Sequence, residues 1–206
     1  NVTAVSFNTG KIMVGTHYYG TKPPVIIAVD MLGCIPGTGV QNNKCLDCHP
    51  GTFSNIVGAG NCFSCNVGYY SNINGSESCS QCVAGKFASE NSSTICFDCM
   101  EGKYSNSYAQ EECNLCPSGK YTGNIGSNSE KSCKNCNSGS ISLPGSSSCL
   151  TCLAGQYSLQ GEKCVVCPRG KYNNLIGTVN LDSCMDCPAG KFSNINGSNS
   201  LINCQN

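Results

Sequence analysis

Cys113-Asn114-Leu115-Cys116-Pro117-Ser118-Gly119-Lys120-Tyr121 is the phrase from which most of this chain is built. Cys-x-x-Cys pairs begin at Cys45, Cys62, Cys79, Cys96, Cys113, Cys133, Cys149, Cys164 and Cys184, and a further cysteine follows at Cys204. Successive starts lie 17, 17, 17, 17, 20, 16, 15, 20 and 20 residues apart. Three residues after the second cysteine of every pair stands a glycine, from Gly51 to Gly190. Two residues later comes an aromatic: Phe53, Tyr70, Phe87, Tyr104, Tyr121, Tyr157, Tyr172 or Phe192, with Ile141 the one departure. A fixed period of this length predicts a one-dimensional array whose units touch mainly their neighbours.

Composition says what must hold such units together. Leu, Ile, Val and Phe make up 40 of 206 residues, low for a chain that buries one large core. Twenty cysteines in a chain of this length match a disulfide scaffold folded in an oxidising compartment. A module of about 17 residues removes too little apolar surface from water to offset its chain entropy. A bridge closing a loop of about 15 residues contributes roughly 3 kcal/mol, chiefly by restricting the unfolded chain. The expected fold class is therefore small, disulfide-rich and mostly β or irregular. Net charge is zero and no basic run exists, which excludes the electrostatic footprint of a nucleic-acid or anionic-membrane binder. No apolar run reaches the roughly 20 residues of a membrane helix, so no span is expected within this segment.

Residues 1–33 contain no cysteine. Val2 to Phe7, Lys11 to Val14 and Val25 to Leu32 read as β-strands, punctuated by Gly10, Gly20 and Pro23-Pro24. Three short strands make no independent domain. They are expected to belong to an incomplete β domain or to complete a sheet in a neighbouring chain. The tandem array occupies residues 34–206. Cys34 has Gly37 three residues on but Met31 where its pair partner would stand, and Cys204 stops short of its own partner. The array is therefore expected to be about ten modules of a longer one.

Those two end cysteines suggest a pairing. Joining the second cysteine of each pair to the first of the next uses every sulphur: Cys34 with Cys45, Cys48 with Cys62, Cys65 with Cys79, Cys82 with Cys96, Cys99 with Cys113, Cys116 with Cys133, Cys136 with Cys149, Cys152 with Cys164, Cys167 with Cys184 and Cys187 with Cys204. Sequence alone does not fix connectivity, and interlocked pairings between alternate cysteines stay open. Within a loop the glycine suits a tight turn. The aromatic is expected on a short strand, covering a disulfide and supplying most of the module's apolar burial. The Ser- and Asn-rich middle reverses the chain. Ser71-Asn72-Ile73-Asn74-Gly75-Ser76 recurs as Ser193 to Ser198, and its Asn-Gly signals a hairpin turn. Two residues between successive bridges leave little room to swing, so a stiff, elongated array is expected.

The modules resemble the ephrin-receptor-like and TNF-receptor-like cysteine-rich repeats, whose units read Cys-x-x-Cys-Pro-x-Gly-x-Tyr. Cys113 to Tyr121, Cys164 to Tyr172 and Cys184 to Phe192 carry the full pattern or nearly so, proline included. The resemblance covers residues 34–206 and implies a cell-surface or secreted protein; such repeats also stand in tandem in surface proteins of many protists. It transfers no ligand contact.

Other chemistries are weaker. Four thiolates make a good zinc site, but the single-period array with its glycine-aromatic continuation favours disulfides. A redox Cys-x-x-Cys belongs beside a βαβ pattern, which is absent. His17 and His49 are the only histidines, too isolated for a triad or metal cluster. Asp47, Asp98 and Asp186 inside the pairs read as solvated carboxylates, and Lys86, Lys103, Lys120, Lys171 and Lys191 as an outward strand position. No catalytic residue, metal or cofactor is expected, and the chain reads as no enzyme. Sequons at Asn1, Asn74, Asn91 and Asn196 point to N-linked glycans and secretion. The expectation is an extracellular structural glycoprotein, a stalk or filament protomer that associates with itself or with neighbouring domains through its N-terminal strands. The alternative is a receptor or adhesin ectodomain binding a protein ligand, for which Ser138 to Leu159, with Ile141, Leu143, Leu150 and Leu153, is the candidate surface.

Overall fold

The computed structural model describes residues 2–8, 11–16, 27–29, 33–42, 44–57, 60–159 and 161–206. Val2–Asn8 (β1), Lys11–Thr16 (β2) and Ile27–Val29 (β3) form an antiparallel sheet in that order, with Val5 opposite Val14 and Ile12 opposite Val29. The second strand runs on to Thr16. Residues 25–26 and 30–32 of the expected third strand lie outside the described residues.

From Cys34 onward the chain is a series of very short hairpins. The two residues at the aromatic pair antiparallel with the two residues inside the next Cys-x-x-Cys. Thr52–Phe53 thus pairs with Phe63–Ser64, Lys103–Tyr104 with Asn114–Leu115, and Lys171–Tyr172 with Met185–Asp186. A two-stranded ribbon this small is not stable alone, and a disulfide closes each one. All twenty cysteines are disulfide-bonded. Each of the described bridges joins the second cysteine of one pair to the first of the next, as in Cys48–Cys62 and Cys99–Cys113; no interlocked pairing occurs among them.

Loop length decides the local variation. Where the bridge spans only 11 or 12 residues, the strands lengthen to four residues each: Thr38–Gln41 with Lys44–Asp47, and Gln156–Leu159 with Lys163–Val166. Where it spans 17, the extra residues coil into a 3₁₀ turn just before the closing cysteine: Glu130–Ser132, Leu181–Ser183 and Leu201–Asn203. In two of these the preceding serine caps the turn, Ser129 accepting from Lys131 and Ser200 from Ile202, which satisfies a donor the short turn leaves free.

Two compact units are defined by contacts: Asn1–Gln81 with Ala88–Cys96, and Cys82–Phe87 with Phe97–Asn206. Inside each, successive modules are joined by a recurring set of three backbone hydrogen bonds. In the first unit Gly51 N–H donates to the Ser71 carbonyl at 2.7 Å, Ser54 N–H to the Ser76 carbonyl at 3.0 Å, and Gly75 N–H to the Cys48 carbonyl at 2.8 Å. In the second the equivalent bonds run from Gly102 to Thr122 at 2.7 Å, from Ser105 to Ser127 at 3.0 Å, and from Gly126 to Cys99 at 2.7 Å. These bonds give the loops' polar main chain partners that an apolar core would otherwise have to exclude.

The core is sulphur and small side chains rather than aromatic rings. Cys48, Cys65, Cys82, Cys99, Cys116, Cys152 and Cys167 are fully buried. So is the residue after each aromatic, as at Ser54, Ala88, Ser105, Thr122 and Asn173. The aromatics themselves are half-buried, and Phe192 is exposed. This corrects the expectation that the rings supply most of the burial. They lie on the outer side of each hairpin, where Phe53 meets Phe63 at a 6.0 Å centroid distance and Phe87 meets Phe97 at 6.2 Å. At Ser54, Ser71, Ser105, Thr122 and Asn173 the N–H and the carbonyl of this small residue both bond to adjacent modules; a larger side chain would hold those backbones apart.

Asn74-Gly75 also departs from its simplest reading. It is a turn, with Gly75 at φ +70°, but it stands at the tip of a long loop between Tyr69–Tyr70 and Ser80–Gln81. The loop is pinned across its base by the buried Ser71 and Ser76 hydroxyls, which bond to each other.

Candidate functional site

The array contains an irregular stretch, and three cavities among the described residues border it. The spacings that break the period run from Cys113 to Cys204, and the two shortest, 16 and 15 residues, lie between Cys133 and Cys164. Within them, the loop from Cys152 to Cys164 is short and follows the one module whose aromatic is replaced, at Ile141. Ser140–Ile141 pairs with Leu150–Thr151, so Ile141 faces Leu150 across the hairpin.

Ile141, Leu143, Leu150 and Leu153 line one open groove of about 710 Å³, with Gln156, Glu162 and Lys163 at its border. Leu143 and Leu150 are each 67% exposed and Leu153 is 66% exposed. Apolar side chains converging on one concavity are what a ligand or partner surface requires. A second cavity, of about 390 Å³, is lined by Cys136, Gly139, Ser158, Gly161 and Val179. A third, of about 260 Å³, borders Tyr121, Asn135, Ser148 and Cys149.

A missing inter-module bond accounts for the second cavity. Gly119 N–H reaches the Ser142 carbonyl at 3.0 Å and Gly155 N–H reaches Asn173 at 2.6 Å. Among the described residues Gly139 N–H makes no such bond to Ser158. The gap left between those backbones is the cavity.

The remaining sequence-derived candidates fall elsewhere. His49 is exposed and its carbonyl caps the Thr52 turn; His17 and Asn1 lie outside the described residues. Asn74, Asn91 and Asn196 are exposed at loop tips. Lys86 and Asp98, read separately from sequence, are cross-strand neighbours and form an ion pair at 2.6 Å, as do Lys171 and Asp186. With 39% and 49% of the first pair's side chains exposed, such a contact is worth about 0–1 kcal/mol. Among the described residues no group of three His, Cys, Asp or Glu side chains could hold a metal ion, and no helix is long and apolar enough to cross a membrane.

Sequence reasoning missed the inward small residue. Its signal was present: the position after the aromatic is Ser, Ala, Thr or Asn in every module.

Stacked two-stranded hairpins, each closed by a disulfide and joined by main-chain bonds, define a tandem cysteine-rich repeat. The family model for tyrosine-protein kinase ephrin type A/B receptor-like repeats matches residues 51–95, 85–133 and 155–204, more than half of the chain. The chain belongs to this ephrin-receptor-like family. No curated protein matches it. The family's repeats are of ectodomain type, and complete disulfide bonding accords with an oxidising compartment.

Proposed function

We propose that this chain is an extracellular, non-catalytic structural segment: a disulfide-stapled stalk or fibre shaft formed by residues 34–206, attached through the β segment of residues 1–33 to a neighbouring domain or subunit. The observation that carries the reading is the repeated trio of main-chain bonds between modules. Stiffness in such an array comes from covalent loop closure and from backbone contacts that do not depend on side-chain identity. Sugars on the exposed Asn74, Asn91 and Asn196 would shield the loops, and the outer strands of the β1–β3 sheet, which pair on one side only among the described residues, are a surface to which another strand adds.

A second reading is favoured by one specific observation, the Ile141–Leu143–Leu150–Leu153 groove. It is the feature expected of a receptor or adhesin that takes an apolar anchor of a protein ligand along its side.

Negative-stain imaging of the native, oxidised protein separates the two. Long thin particles, ordered into fibres, are the outcome expected of the structural role. Monodisperse short particles that bind a surface ligand, with binding lost in Leu150→Ser, would replace it with the receptor role.

A further inference from the structure

We propose that the Cys136–Cys149 bridge is a site of thiol–disulfide exchange, opened by dithiol reductants before any other bridge. Three features meet at it. In every other described bridge at least one cysteine is buried: Cys34, Cys48, Cys65, Cys99, Cys152 and Cys204 in six of them, both partners in Cys116–Cys133 and Cys167–Cys184. Cys136 and Cys149 are each only half-buried. Next, both partners border a cavity, Cys136 the one of about 390 Å³ and Cys149 the one of about 260 Å³, whereas of the Cys152–Cys164 bridge only Cys164 borders the groove and Cys152 is fully buried. Last, the backbone bond that ties a module glycine to the following module is absent at Gly139, three residues from Cys136.

Exchange needs an attacking thiolate with access to one sulphur. A thiolate of the dithiol enters from the larger cavity and attacks Cys136 Sγ. A mixed disulfide forms, the Cys136–Cys149 bond breaks, and Cys149 leaves as a thiolate that takes a proton from solvent. The reductant's second thiol, deprotonated in turn, attacks its own sulphur in the mixed disulfide and releases Cys136. The reductant is oxidised by two electrons to its cyclic disulfide, and the bridge is reduced by two. The freed loop carries Ile141 and Leu143, so the change alters the apolar groove while the flanking Cys116–Cys133 and Cys152–Cys164 bridges stay closed.

The test is a time course of native protein in dithiothreitol without denaturant, quenched with iodoacetamide and mapped peptide by peptide by mass spectrometry. Cys136 and Cys149 are expected to label about tenfold faster than any other pair, because exchange follows access to the attacked sulphur. Labelling of another pair first, or of all pairs at one rate, overturns the proposal. The double variant C136S/C149S gives a second reading. If its remaining cysteines stay as slow as in the parent, the bridge is separable as proposed; if they all become fast, the bridge holds the array together and the proposal fails.

Discussion

At Gly102 the backbone has φ +78°, and a Cβ would overlap the Gly145 carbonyl two loops further on. The residue is therefore fixed twice, by a left-handed conformation and by a close backbone approach. Left-handed backbone costs an L-residue roughly 1–2 kcal/mol before any steric overlap is added. Gly102→Ala is expected to destabilise the oxidised protein by about 2 kcal/mol or more, the left-handed cost plus overpacking, read as a lowered denaturant midpoint. Gly123 is the matched control. Its φ is outside the positive region and the nearest atom to a Cβ is 3.6 Å away, so Gly123→Ala is expected to change stability by no more than about 0.5 kcal/mol. Equal effects at the two positions would show that close module contact is not what the repeat glycine serves. Both glycines are plain in the sequence, but only the partner backbone distinguishes them.

Within one loop the buried hydroxyl pair is the working part. Ser193 and Ser198 are 1% and 2% exposed, and their hydroxyls lie 2.7 Å apart. Ser198→Ala is expected to cost about 1–3 kcal/mol, since it leaves the Ser193 hydroxyl buried without its partner. The same change removes the sequon at Asn196. Asn196→Gln, which also removes it, should leave the unglycosylated protein's stability within about 0.5 kcal/mol because Asn196 is exposed. Thermal unfolding of both variants made without glycans checks this, and an unaffected Ser198→Ala would refute the pinning role. Much at this scale was legible. The period of the cysteines, the glycine and the aromatic fixed the hairpins, and the longer loops flagged themselves by their spacing. What was not legible was burial. Ser71, Thr122 and Ser193 are polar by type; the recurring small residue after the ring marked the position, but the bonds to other modules that carry it inside join residues far apart in sequence. Ser92 and Ala109 hold left-handed loop tips, with φ +60° and +56°, where the sequence offers no glycine to mark them. The candidate groove was half legible: its leucines stood out as departures, while the cavity beside Cys136 depends on a backbone bond that fails to form.

Across the array, stability should be distributed with the period of the repeat, because each module is held by its own bridge and by bonds to its neighbours. Amide hydrogen exchange reads this distribution directly, since protection follows the free energy of local opening. The glycine amides of Gly51, Gly68, Gly85, Gly102, Gly119, Gly155 and Gly170 donate to carbonyls of the following module. They are expected to exchange slowly in the oxidised protein. Gly139, which has no such acceptor among the described residues, is expected to exchange at least about tenfold faster, a difference of roughly 1.4 kcal/mol in opening free energy. A Gly139 amide as slow as its counterparts would mean that the irregular modules are as tightly joined as the rest. The cavity beside Cys136 and the accessible bridge would then lose their common physical cause. Fast exchange at Gly139 alone would instead identify one compliant step in an otherwise uniform series, and that step coincides with the apolar surface best suited to a partner.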